Sequence, residues 1–187
     1  MTAQPPLEAP PRAERRVDSL VVVHTGDGKG KTTAAMGVAM RAVGHGGSVA
    51  VIQFMKSGRW KSGERLAAER LGIDWSVIGD GFTWDSEDLE AAAAVAREAW
   101  SAAADTIAGG SYDVVVLDEL TYPVAWGWVA GDDVVGALRD RPSHVSVIVT
   151  GRDAPAAIVE VADTVTEHRS VRHAFDDGVA ALRGIDY

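Results

Sequence analysis

The chain predicts an α/β domain built on a mostly parallel six-stranded sheet flanked by helices. Three observations lead there. From Ser19 onward, short β-branched runs alternate with Ala-rich helical stretches. The β-branched runs are apolar without strict alternation, so both faces of the sheet should be covered. The first run opens into a glycine-rich loop and then a helix, an order that suits anion binding at a helix N-terminus.

The strand candidates follow in order: Leu20–His24, Ser48–Phe54, Trp75–Ile78, Asp113–Asp118, His144–Thr150 and Asp163–Glu167. Between them lie the helical candidates Lys31–Val43, Gly63–Leu71, Glu87–Ala108, Asp132–Arg139 and Ala156–Val161. In the longest helix Leu89, Ala93, Ala96, Trp100, Ala103 and Ile107 recur at three- and four-residue steps and should form its buried face. Glu90, Arg97, Glu98 and Asp105 fall on the opposite, wet face. Residues 1–18 hold four of the seven prolines and oppose helix and ladder alike, so they read as a mobile arm before a single domain over 19–187.

A length of 187 residues suits one domain with a core of its own. The net charge of −9 argues against general nucleic-acid binding, which needs a broad basic face. With no cysteine, disulfides, thiolate metal sites and a cysteine nucleophile are excluded. There is no secretory pattern, and no apolar run approaches the roughly eighteen residues of a membrane span. A soluble cytoplasmic protein that meets no membrane is the expectation.

The strongest motif runs from His24 through Thr25, Gly26, Asp27, Gly28, Lys29, Gly30, Lys31, Thr32 and Thr33 into Ala34. The three glycines would let backbone N–H groups turn toward an anion. Lys31 would neutralise terminal phosphate oxygens, and Thr32 would offer its hydroxyl to Mg²⁺. Thr25 stands where the general phosphate-loop pattern has a glycine, and Lys29 adds a second positive charge. Val114 to Glu119 is an apolar strand ending in two carboxylates, the Walker-B arrangement. Asp118 reads as a metal-shell ligand, direct or through water, and Glu119 as a second ligand or a water-orienting base. Together these elements support a nucleoside triphosphate with Mg²⁺ or Mn²⁺, without saying what happens to it.

Six of the twelve aromatics are tryptophan. Trp100 and Trp75 suit packing positions, whereas Trp60, Trp84, Trp126 and Trp128 lie in or beside turns. Phe82 and Trp84 either staple the following helix to the sheet or form a flat apolar wall for a planar ligand. The basic stretch from Gln53 to Glu64 and the Gly151-Arg152-Asp153 turn follow strand C-terminal ends, where the ligand crevice of a parallel sheet forms. The five histidines form no metal-ligand spacing and read as structural.

The segment His24–Thr33, followed by Arg41-Ala42-Val43-Gly44-His45-Gly46, resembles the P-loop ATP:corrinoid adenosyltransferases. The likeness continues through Gln53-Phe54-Met55-Lys56, Gly81-Phe82-Thr83-Trp84, Leu117-Asp118-Glu119-Leu120, Val149-Thr150-Gly151-Arg152, Arg172-His173-Ala174-Phe175 and Gly184-Ile185-Asp186-Tyr187. It covers about residues 19–187 and implies a RecA-like P-loop fold. The resemblance implies that Co(I) of a reduced corrinoid attacks the 5′ carbon of ATP and that the whole triphosphate leaves. It gives catalytic roles to Lys31, Thr32, Glu119, Phe82 and Trp84, the last two lying under the corrin and excluding its lower axial ligand. It places Arg41 near the nucleoside and Thr32, Asp118 and Glu119 around the metal. It also implies a homodimer and an electron-donating reductase such as a flavodoxin. A RecA-like ATPase or small-molecule kinase, or a nucleotide-binding regulator without turnover, are the competing expectations.

Overall fold

The computed structural model describes residues 15–54, 62–77 and 89–187. Expectations for most of the proline-rich arm, for the basic loop at Lys56 and Arg59, and for Phe82 and Trp84 fall outside the described residues.

Six strands form one sheet: β1 Val21–Thr25, β2 Val49–Gln53, β3 Asp74–Val77, β4 Val114–Asp118, β5 Ser146–Thr150 and β6 Thr164–Glu167. Their spatial order is β3-β2-β4-β5-β1-β6, and every pairing is parallel. The helices are α1 Lys31–Gly44, α2 Gly63–Leu71, α3 Leu89–Gly109, α4 Thr121–Ala125, α5 Gly131–Asp140 and α6 Ala156–Val161. A 3₁₀ turn follows at Ala174–Asp177.

The apolar runs are continuous because both sheet faces are covered. Val21, Val23, Ile52, Val115, Leu117, Val147 and Val149 pack with α3, α5 and α6 residues such as Trp100, Ile107, Leu138 and Ile158. The intervening Val49, Val51, Val114, Val116 and Ile148 pack with Ala35, Met36, Ala39 and Ala68 of α1 and α2. Ser62 caps α2, its hydroxyl accepting from the Arg65 amide at 3.3 Å, and Gly72 ends that helix at φ 70°.

Three expectations change. Leu89 lies outside the buried stripe of α3, 61% exposed in the first turn, while Ala99 joins that stripe. The third strand starts one residue earlier, at Asp74, and α4 was not foreseen. Pro123 sits within the first turn of α4, where its missing N–H costs nothing.

All six strands point one way, so their C-terminal ends share an edge. Thr25, Gln53, Asp118, Thr150 and Glu167 end five of them there.

Candidate active site

The loop between β1 and α1 is shaped by its glycines, but not wholly for the expected reason. Gly30 adopts φ 113° at the N-cap of α1, a left-handed conformation that favours glycine. A Cβ on Gly26 would sit 2.5 Å from the His168 carbonyl oxygen, and one on Gly28 2.7 Å from the Arg169 carbonyl carbon. The Gly28 amide donates to the His168 carbonyl at 2.7 Å, so it is spent on the chain leaving β6 instead of turning toward an anion. Two of the three glycines therefore answer a close backbone approach.

The Lys31 ammonium donates to the carbonyls of Gly26 and Gly28 at 2.5 and 2.8 Å and so lies across the loop. Burial, and then the nearby Arg152 guanidinium, lower its pKa from the ordinary lysine value. Lys29 pairs with the Asp186 carboxylate.

Asp118 is fully buried at the end of β4. Its Oδ1 accepts from the hydroxyls of Thr32 at 2.8 Å and Thr150 at 2.7 Å, and its Oδ2 accepts from the Gln53 amide at 2.7 Å. Strand order explains this convergence, because β2 and β5 flank β4 and bring Gln53 and Thr150 to either side of its last residue. Glu119 follows at φ 63°, its amide donating to the Thr150 hydroxyl at 3.0 Å, and its position turns from the sheet into the crevice.

Asp118 to asparagine should weaken binding of Mg-ATP and lower stability by about 1–3 kcal/mol, because three donors then meet a neutral amide with one acceptor oxygen. Thermal melting and Mg-ATP titration of the variant check this; unchanged behaviour in both would mean the convergent hydrogen bonds carry nothing.

A cavity of about 200 Å³ lies over the loop. The loop and α1 contribute Lys29, Gly30, Lys31, Thr32 and Thr33, while Glu64, Glu119, Tyr122, Arg152, Ile185 and Asp186 enclose it. That volume falls below the roughly 300–1,000 Å³ of pockets that take whole organic ligands, so it fits an anionic tail. Arg152 faces Asp27 at 3.9 Å and adds a third cation to the cavity wall. Arg41 does not line this cavity; it is exposed in the last turn of α1, roughly 15 Å along the helix from Lys31.

The donor set fits a hard divalent cation. The Thr32 hydroxyl spends its proton on Asp118 and keeps oxygen lone pairs for a metal, and Glu119 lines the same cavity. Asp118, with both oxygens already accepting, suits the outer role of orienting Thr32. Among the described residues no group of three or more His, Cys, Asp or Glu comes together, so phosphate oxygens and water would complete the shell.

His24, expected to be structural, is buried beneath the loop and lies 3.3 Å, Nδ1 to Nε2, from His168. Burial first and His168 second lower its pKa from the ordinary histidine value. Gln53 and Glu64 belong to the stretch expected at the crevice, though with no individual role, whereas Thr150, Tyr122 and Asp186 were given no site role from the sequence. Gln53 and Thr150 had a signal, since each is a polar residue ending an apolar strand. Tyr122 meets Trp126 at a tilt and Trp126 meets Trp128 edge to face, with ring centroids 5.6 and 4.8 Å apart.

A glycine loop after β1, and a buried acid on β4 one strand removed, define a P-loop nucleotide-binding domain of RecA type. The solved structure of flagellar accessory protein FlaH from Methanocaldococcus jannaschii shares the fold, at a TM-score of 0.53 and 12% identity over 81% of this chain and 71% of that one. Within that class the chain belongs to the ATP:corrinoid adenosyltransferase family, whose model, described as ATP:corrinoid adenosyltransferase BtuR/CobO/CobP, matches residues 18–187. It is 51% identical to the corrinoid adenosyltransferase of Escherichia coli over 168 residues, 90% of this chain and 85% of that protein. Corrinoid adenosyltransferase CobA of Salmonella typhimurium is 49% identical over the same shares of each chain. The corrinoid adenosyltransferase of Pseudomonas aeruginosa is 40% identical over 94% of this chain and 86% of that protein. These relatives do not favour the ATPase, kinase or regulator expectations.

Proposed function

We propose that this chain transfers the 5′-deoxyadenosyl group of ATP to the Co(I) of a reduced corrinoid and releases triphosphate. The observation that carries this is family membership across residues 18–187, in a chain whose phosphate cavity is lined by Lys29, Lys31 and Arg152. The lone pair of Co(I) forms the cobalt–carbon bond, the C5′–O bond breaks, and its electron pair stays on the departing triphosphate. No proton moves, so no residue needs to act as a base. The chain's task is to hold the tail and stabilise the growing negative charge, which three cations lining one cavity can do. Mg²⁺ or Mn²⁺, held by Thr32 and Glu119 with Asp118 behind, would add Lewis-acid stabilisation of the same oxygens.

Phe82 and Trp84 are proposed to flank the corrin and keep a lower ligand off cobalt, because flat apolar rings fill space without offering a donor. Arg41 keeps its proposed nucleoside role only if ATP or a second copy reaches the far end of α1. A homodimer, an electron-donating reductase such as a flavodoxin, and a cytoplasmic setting complete the proposal. None of the described helices is long and apolar enough to cross a membrane.

With ATP, Mg²⁺, a chemical reductant and a corrinoid supplied, a light-sensitive cobalt–carbon bond should form, with one triphosphate per corrin adenosylated. Corrinoid-independent release of ADP and phosphate, with no adenosylated corrin, would sink the proposal.

A further inference from the structure

The last twenty residues meet the phosphate loop at both ends. At the start, the backbone of His168 and Arg169 lies against Gly26 and Gly28. At the end, a tight turn closes on itself: the Asp186 amide donates to the Leu182 carbonyl at 2.8 Å, and the Gly184 amide to the Tyr187 carbonyl at 2.8 Å. The Leu182 amide donates to Asp186 Oδ2 at 2.7 Å, which fixes the carboxylate and leaves Oδ1 to accept from the Lys29 ammonium. Ile185 and Asp186 thereby become part of the cavity wall.

This arrangement sets an acid against the ligand the cavity would take. A triphosphate reaching Lys29 must share its ammonium with Asp186 or displace the carboxylate, since two anions on one cation repel. We propose that Asp186 determines affinity and release at the phosphate site, its carboxylate holding Lys29 and competing with every triphosphate that binds, whether the tail of ATP or the free product. The inference rests on the adenosyl-transfer reading only in naming free triphosphate as a product. The Leu182 amide and Lys29 hold the Asp186 carboxyl below the usual carboxylate range, so it remains charged under working conditions. A competitor for Lys29 weakens the hold on a bound triphosphate and so keeps the product from trapping the enzyme.

The test is calorimetric titration of inorganic tripolyphosphate into the full chain, without corrinoid. Asp186→Asn keeps an acceptor for the Leu182 amide and removes the charge. It should bind tripolyphosphate about three- to fivefold more tightly, the range expected for a pair whose side chains are 46% and 24% exposed. In a Lys29→Gln background the same substitution should gain nothing. Asp177→Asn, which removes an exposed charge from the neighbouring 3₁₀ turn, should leave affinity unchanged, and Asp186→Glu, which keeps the charge, should stay within about twofold of wild type. Unchanged or weaker binding in Asp186→Asn, an equal gain without Lys29, or an equal gain in Asp177→Asn or Asp186→Glu would each overturn the inference. Since no corrinoid is present, a failure here is separate from a failure to adenosylate.

Discussion

Lys31→Ala should reduce kcat/KM for ATP by about 10²- to 10³-fold, the loss usual when one preorganised group facing developing negative charge is removed. Lys31 is the only loop lysine that bridges two carbonyls of the loop itself, those of Gly26 and Gly28. Its removal takes away both a charge and a brace. The brace matters less, because the position is only half-buried and water can reach the freed carbonyls. The melting temperature should therefore fall little while activity collapses. A variant that keeps wild-type kcat/KM would remove Lys31 from the mechanism.

The same side chain sets a pH dependence whose sign can be worked out. Burial and Arg152 lower the Lys31 pKa, so the free enzyme loses this ammonium at a lower pH than an exposed lysine would. ATP needs the charged form, and affinity should decline as pH rises through that lowered value. Stability moves the other way. Below the lowered folded value the ammonium costs folding energy, and between the folded and unfolded values the unfolded chain binds more protons, so stability from this group rises with pH. Measured on the alkaline side, KM for ATP and the melting temperature should both increase on account of Lys31.

Much of this was legible because the features were local. Strand β1, the loop and α1 are contiguous, and the run from Val114 to Glu119 carries its own apolar stretch and acidic end. Arrangements made by distant chain segments were not legible. Gln53 and Thr150 reach Asp118 across 65 and 32 residues, and only the strand order puts β2 and β5 on either side of β4. Asp186 lies 157 residues from Lys29 and sits in a short turn without periodicity, so no pattern foretold their pairing. Helix α4 escaped because five residues containing a proline give no helical period. Leu89 keeps the spacing of the seam but lies in the first turn of α3, ahead of Ala93, the first buried residue of that helix, and periodicity alone does not show where along a helix burial begins.

The glycines of the loop offer the sharper test, because their pattern was visible and its cause was only partly so. Gly28→Ala should cost about 2–3 kcal/mol, combining a backbone clash with loss of the hydrogen bond to His168. The added Cβ would lie 2.7 to 2.8 Å from three backbone atoms of Arg169, and backbone cannot rotate away as a side chain can. For a domain of this size the melting temperature should drop by roughly 5–10 °C. Gly136→Ala is the control of opposite sign: it lies inside α5, its Cβ would meet nothing within 4 Å, and helix propensity alone should add about 0.5–1 kcal/mol. ATP titration then separates the two causes of a loop glycine. If Gly28 is small because the chain after β6 crosses it, melting falls first and ATP binding weakens as the loop shifts. If it is small because a phosphate needs the room, ATP binding is lost while melting stays at the wild-type value, and the contact with Arg169 is incidental.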